Sequence, residues 1–312
     1  MISEHEPSAA EPSRLWRTGS REVVLDRPVV AGILNVTPDS FSDGGNFFSP
    51  EKAVEHAARM IAEGADIIDV GGESTRPGAT VVDDDEEIRR AVPVIREIRN
   101  QFPDVLISID TTKSRVAMRA IEAGADIVND VSAFRLDAEM PSVVRQSGCG
   151  VVLMHSRGGI EDMASYAHAT YASDAVMAIV DELAARAEFA VEQGIGRDRI
   201  ALDPGFGFSK VSAQSMALLG RLDLLVEIGY PVFVGTSRKR FVTEAMLRLE
   251  ENAGDPPTSA ALPMEARDIG TAAMNVVALM KGARIFRVHS VSVTRRALDA
   301  VWPIAIAPTI DT

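Results

Sequence analysis

The 312-residue sequence predicts an α/β protein, a single (β/α)8 TIM barrel over residues 21–308 behind a disordered N-terminal tail, residues 1–20. Three observations point to it. Short apolar runs recur eight times, segments of helical period separate most of them, and a Gly-Ala-Asp junction at 64–66 returns at 124–126, with Gly-Ala-Arg at 282–284. The first two junctions lie two helix–strand units of about 30 residues apart, the size of a βαβ repeat. Continuous apolar strands alternating with helices imply a parallel sheet covered on both faces, and the count favours a closed barrel over an open doubly wound sheet. Neither GxGxxG nor GxxxxGK[ST] occurs to support the open sheet.

In chain order the strand candidates are "VVAGILNV", "ADIIDVG", "VLISID", "ADIVND", "GVVLMH", "RIALDPG", "PVFVGTS" and "ARIFRVHS". Between the first two, "SPEKAVEHAARMIAEG" shows how a helix is specified. Ser49 can cap it, Pro50 suits its first position, Val54, Ala57 and Ile61 share a face, and Gly64 can end it in a left-handed conformation. The connection before that helix, "VTPDSFSDGGNFF", exceeds the roughly 2–6 residues such a link needs. It is expected to be a lid made mobile by Gly44 and Gly45.

Composition narrows the function classes. With 46% hydrophobic and 25% charged residues the chain is ordinary globular material. A net charge of −13 disfavours nucleic-acid binding, so an anionic ligand must be held by local clusters of Arg and Lys. No apolar run approaches the roughly 18 residues of a membrane helix, and no signal peptide is recognisable at the start. The single cysteine, Cys149, suits a reducing compartment, and a cytoplasmic location is expected.

A barrel presents its chemistry where strands end, at the C-terminal face. Reading those positions in order gives Asn35, then Glu73 with Thr75 and Arg76, Asp110, Asn129, His155, Asp203, Ser237 with Arg238 and Lys239, and Arg287 with His289. Buried unpaired polar groups cost about 1–3 kcal/mol each, so residues of this kind belong at a shared mouth, where they meet one another or a ligand. Two groups separate by chemistry. Asp110, Asn129, Asp203 and Lys239 suit a flat heterocycle with several N–H donors and a carbonyl, whereas Arg76, Arg287, His289, Thr75 and Asn35 suit a polyanion. At "VGTSRKRF" a helix is expected to begin near Ser237, so that its N-terminus favours a carboxylate or phosphate.

The ordered set "GILNVTPDSFSDGG", "GADIIDVGGESTRPGA", "SIDTTK", "ADIVNDVSA", "VLMH", "LDPGFGF", "GTSRKRF" and "RVHS" resembles the dihydropteroate synthase family of pterin-binding enzymes, from about residue 30 to 302. The resemblance implies condensation of 6-hydroxymethyl-7,8-dihydropterin pyrophosphate with p-aminobenzoate. It implies pterin contacts from Asp110, Asn129, Met154, Asp203, Phe208 and Lys239, and pyrophosphate contacts from Asn35, Thr75, Arg76, Arg287 and His289. Mg2+ would bridge the pyrophosphate near Asn35, and Phe41, Pro77, Phe208 and Ser237 would form the p-aminobenzoate pocket. The implied mechanism is dissociative: Asp110, Lys239, Arg287 and His289 are its catalytic groups, acting by electrostatics, and no protein nucleophile is needed. A homodimer is implied as well.

Plainer readings stand beside these. His155 is either a ligand contact or a core histidine with a backbone partner, and Lys210 either reaches the pocket or decorates a loop. His56 and His168 are expected at the surface, Cys149 in the core, and the acidic run 83–87 as a solvated helix start rather than a metal cluster. Ser156, Ser290 and Arg240 depart from the family's commonest pattern. Two other function classes fit parts of the pattern. A non-catalytic pterin binder would keep Asp110, Asn129 and Asp203 but lose Arg76, Arg287 or the first loop, and a pterin-dependent methyltransferase would lack the first-loop motif and "SRK".

Overall fold

The computed structural model describes residues 14–37, 50–73, 82–251 and 262–306. The chain enters through an antiparallel hairpin, β1 (Leu15–Thr18) and β2 (Arg21–Val24). This corrects the expected tail over residues 14–20. Trp16 has no solvent exposure and its indole Nε1 donates to the Arg199 carbonyl at 2.9 Å, so the segment is ordered by burying its one large aromatic group.

All eight expected strands form, as β3 (Val29–Asn35), β4 (Ile67–Gly71), β5 (Leu106–Asp110), β6 (Ile127–Asp130), β7 (Gly150–Met154), β8 (Ile200–Asp203), β9 (Phe233–Val234) and β10 (Ile285–Val288). Their order, β8-β7-β6-β5-β4-β3-β10-β9, is parallel throughout. A parallel bridge between Leu202 and Val232 brings the two edge strands together and nearly closes the barrel.

Helices α1 (Pro50–Ala62), α2 (Asp84–Gln101), α3 (Ser114–Glu122), α4 (Met140–Ser147) and α5 (Ala175–Glu192) connect the first six barrel strands in turn. The short pair α6 (Ser212–Gly220) and α7 (Asp223–Val226) follows β8, α8 (Arg240–Glu251) and α9 (Met264–Met280) lead to β10, and α10 (Val291–Ala305) ends the fold. The repeated junction is one device used three times. Gly64, Gly124 and Gly282 take φ of +99°, +113° and +103°, and the next residue's N–H bonds back five residues to Met60, Ala120 and Ala278. That left-handed turn favours glycine and satisfies a carbonyl the helix leaves over.

The interior is layered. Val29, Ala31, Ile67, Ile127, Val152, Ala201, Phe233 and Ile285 pack inside the barrel against Trp16 and Leu25 of the entry segment. Strand side chains alternate, so the residues two further on, Asp69, Asn129, Met154, Asp203 and Arg287, point into the same interior one layer higher. The intervening residues, including Ile68, Val70, Val128, Val151, Leu153, Leu202 and Phe286, pack into the separate core beneath the helices. Burial on both faces is the reason the strands lack visible polar alternation.

Candidate active site

Register sets the first side of the mouth. Asn35 lies opposite Gly71, Gly71 opposite Asp110, and Asp110 opposite Asn129, which puts three expected polar residues in one row across four strands. From the other side β10 contributes Arg287, whose guanidinium spans the interior. Its Nη2 donates to Asp110 Oδ2 at 2.6 Å and its Nε to Asp69 Oδ2 at 2.5 Å. Asp69 has no solvent exposure and also accepts from Asn129 Nδ2 at 3.3 Å. Asp110, Arg287, Asp69 and Asn129 therefore form one connected network.

The electrostatics follow from burial. Removal from water pushes Asp110 well above the ordinary carboxylate range, with Arg287 opposing the shift. Burial pulls Arg287 down, but the carboxylates of Asp69 and Asp110 outweigh it and hold the guanidinium above its usual value. Asp203, whose Oδ1 accepts from Gly205 N at 2.7 Å, is pushed by burial up to about 6. Lys239 is lowered to about 8, first by burial and then by the Arg287 charge. Its Nζ rests 3.8 Å from the centre of the Phe208 ring, a cation–π contact. Phe208 packs with Met154, Val131 and Met163, so an apolar wall adjoins the charged groups.

Ser237 and His289 meet at the β10 side. The Ser237 hydroxyl oxygen accepts from His289 N at 3.1 Å and lies 2.9 Å from Nδ1. The one hydroxyl therefore meets both the ring and the backbone of His289 and holds the imidazole beside β10. Helix α8 starts at Arg240, three residues later than expected, because residues 236–239 make a turn closed by Lys239 N to Thr236 O at 3.1 Å. Arg238, at φ +58°, turns away from the mouth and grips Asp268 of α9 with Nε and Nη2 at 2.7 and 2.9 Å.

Other expectations sort by contact. His155 is buried with Nε2 3.1 Å from Glu182 Oε2 and Nδ1 2.8 Å from Lys210 Nζ, so it is a core histidine with side-chain partners rather than a backbone one. Lys210 is neither loop decoration nor a solvent-facing group: it has no exposure. Glu73 pairs with Lys113 at 3.1 Å and accepts from Val82 N at 2.9 Å. The acidic run needs one correction. Asp83 caps α2 by accepting from Glu86 N, but Glu87 is fully buried against Lys113 at 2.7 Å, because one turn into the helix its position faces the barrel. Cys149 is buried and its thiol pushed up to about 11, the behaviour of a small core residue. Phe41, Thr75, Arg76, Pro77 and the first loop lie outside the described residues.

Sequence reading missed Asp69. The available signal was parity: it stands two residues after inward-facing Ile67, and a carboxylate inside "IIDVG" needs a buried partner. Sequence reading also drew too sharp a line between its two chemical groups, since Arg287 of the anion group is bonded directly to Asp110 of the heterocycle group. Among the described residues no cluster of three or more His, Cys, Asp or Glu side chains could hold a metal ion.

A parallel barrel whose C-terminal mouth joins acid, amide and lysine groups to an arginine and an apolar wall is built to bind a polar heterocycle. Residues 31–289 match the family described as pterin binding enzyme, and the chain belongs to that family. Within it, a dihydropteroate synthase of Streptococcus pyogenes serotype M3 is 44% identical over 269 residues, 86% of this chain and 92% of that one. The Xanthomonas albilineans dihydropteroate synthase with 4-aminobenzoic acid superposes with TM-score 0.83 at 40% identity, covering 95% of this chain and all of that one. The same enzyme in complex with 7,8-dihydropteroate gives TM-score 0.79 at 37% identity, covering 94% and 100%.

Proposed function

We propose that this chain joins 6-hydroxymethyl-7,8-dihydropterin pyrophosphate to p-aminobenzoate, releasing pyrophosphate, by a dissociative route. It is a transferase of the dihydropteroate synthase class. The observation that carries the residue-level reading is the ion pair from Arg287 to Asp110 with Asp69 behind it, which sets fixed positive and negative charge side by side at the mouth.

In this reading Asp110, Asn129 and Asp203 accept from and donate to the pterin edge, Lys239 donates to it, and Met154 with Phe208 covers its face. Two of the three Arg287 nitrogens donate to carboxylates, which leaves Nη1 to reach the pyrophosphate beside Asn35 and the imidazole of His289. The methylene C–O bond breaks and its electron pair leaves with pyrophosphate. Asp110 stabilises the pterin cation, the aryl amine nitrogen attacks the methylene carbon, and the nitrogen then sheds a proton to solvent. Charges already in place need no reorganisation as the transition state develops. Ser237, Phe208 and, outside the described residues, Thr75, Arg76, Pro77 and Phe41 complete the assignment of the pyrophosphate and p-aminobenzoate contacts.

The donor set fits Mg2+ only as a companion of the substrate. Mg2+ keeps several waters and takes one or two protein oxygens together with phosphate oxygens, and Asn35 Oδ1 is such an oxygen near the Asp110 row. When bound it would neutralise charge on the leaving group.

We also assign a homodimer, supported by an exposed apolar stripe on α9, with Ile269, Ala273, Val277 and Met280 at helical spacing, on a helix packed against α10, whose Ile304 is exposed as well. The lone, buried Cys149 supports a reducing, cytoplasmic setting. Among the described residues no helix is long and apolar enough to cross a membrane. Incubating purified protein with the pterin pyrophosphate, p-aminobenzoate and Mg2+ should yield dihydropteroate; well-folded protein that makes none would sink the reading.

A further inference from the structure

Lys210 stands outside the mechanism, yet it is the most completely buried lysine at this end of the barrel. Its Nζ lies 2.8 Å from His155 Nδ1, 2.9 Å from the Phe208 carbonyl and 3.0 Å from the Gly205 carbonyl, with the His155 carbonyl further off at 3.3 Å. An ammonium has three N–H donors, and three close acceptors match them. The acceptor role of Nδ1 fixes the histidine proton on Nε2, which donates to Glu182, itself held by Arg157.

Two of the three acceptors belong to the loop that follows β8, and that loop is shaped at both ends. Gly205 takes φ +67° so close to His155 that an added Cβ would meet its carbonyl oxygen at 2.0 Å. Ser209 takes φ +50°, a costly value for a residue with a side chain, and is clasped by Met163 O, Arg157 O and the Tyr171 hydroxyl. Between these points the loop performs two tasks for the pterin site. The Gly205 N–H orients the Asp203 carboxylate, and the Phe208 ring carries the Lys239 ammonium. A bare run of loop carbonyls turned inward would repel itself, and one buried cation gathers them.

We propose that Lys210 is a positioning residue of the pterin site, clamping the 204–210 loop so that Asp203 and Phe208 are presented to the pterin beside Lys239. The inference rests on the pterin-transferase reading of that site. It accounts for a lysine amine kept inside the fold where burial disfavours its charged form and pulls it down to about 7.

The test is a double-mutant cycle on the full-length protein with Lys210→Met and Phe208→Leu, reading the KM for each substrate, kcat, and thermal unfolding by circular dichroism. Lys210→Met should raise the KM for the pterin pyrophosphate by about tenfold and, through Phe208, that for p-aminobenzoate by a smaller factor, with the double variant no worse than about twofold beyond the single ones. An unchanged pterin KM with a lowered melting temperature assigns Lys210 a merely structural role and overturns the proposal, as do effects that simply multiply. Should Lys210→Met fail to fold, His155→Leu, which removes one acceptor and keeps the lysine, goes through the same cycle under the same criteria. Wild-type protein that makes no dihydropteroate overturns the underlying reading, whereas active wild type with an indifferent Lys210 overturns this inference alone.

Discussion

Asp69 holds the site's arginine from a position with no solvent exposure, and its other oxygen contacts go to Asn129. Removing one partner of such a pair leaves a buried charge uncompensated, at a cost of about 3–5 kcal/mol. Asp69→Ala is therefore expected to lose about that much stability in urea unfolding and to lower kcat/KM at least about tenfold, since Arg287 and Asn129 are both left misplaced. Unfolding at the wild-type urea concentration would refute it. The shifted groups also set a pH profile. On the proposed reading both Asp110 and Asp203 act as carboxylates, so kcat/KM begins to fall as pH drops through about 7, where Asp110 takes up a proton, and falls further through about 6 with Asp203. Lys239 acts as an ammonium, so kcat/KM falls again as pH rises through about 8. A bell between these limits is expected in the free-enzyme parameter, and Lys239→Gln should remove its alkaline limb.

The entry hairpin and the mouth are separate functional territories. β1 and β2 place Trp16 under the inner apolar layer, at the end of the barrel away from Asp110 and Arg287. Trp16→Ala should cost about 3–5 kcal/mol of stability while leaving both substrate KM values within experimental error, as measured by denaturation and steady-state kinetics. A changed pterin KM would mean that the plug and the mouth are coupled. The strands and the repeated glycine junctions were legible because each is written locally: an apolar run, a helical period, a glycine where the backbone must turn left-handed. The hairpin was not, because in "RLWRTGSREVV" charged residues interrupt the few apolar ones, and β1 with Trp16 packs against β7 and β8, strands that no local window contains. The late start of α8 has the same cause. Arg238 adopts its left-handed turn to reach Asp268, some 30 residues onward.

For the whole molecule, among the described residues the exposed large apolar side chains of the helical layer are scattered except on α9, where they line up along one face. Ile269 is 57% exposed, Met280 52% and Ile304 65%, and isolated apolar side chains of this size rarely align on one face without a partner. Analytical ultracentrifugation should give twice the mass of one chain, and Ile269→Asp combined with Val277→Asp should give a monomer that keeps its cooperative unfolding. A wild-type monomer at micromolar concentration overturns the assignment.

What the sequence by itself determined is the architecture and most of the chemistry at the mouth. Eight strands and their helices follow from periodicity and glycine placement, and Asn35, Asp110, Asn129, Asp203, Lys239 and Arg287 follow from polar groups at strand ends, where a core strand gains nothing from them. Tertiary structure alone decided how those groups pair. Asp69 and Arg287 lie 218 positions apart, and Lys210 meets His155 across 55. Such pairings depend on which strands adjoin and on the inward parity of each, and closure of the barrel supplies both. The charge states follow from the same closure, since burial raises Asp203 and burial together with the Arg287 charge lowers Lys239, both toward neutral pH.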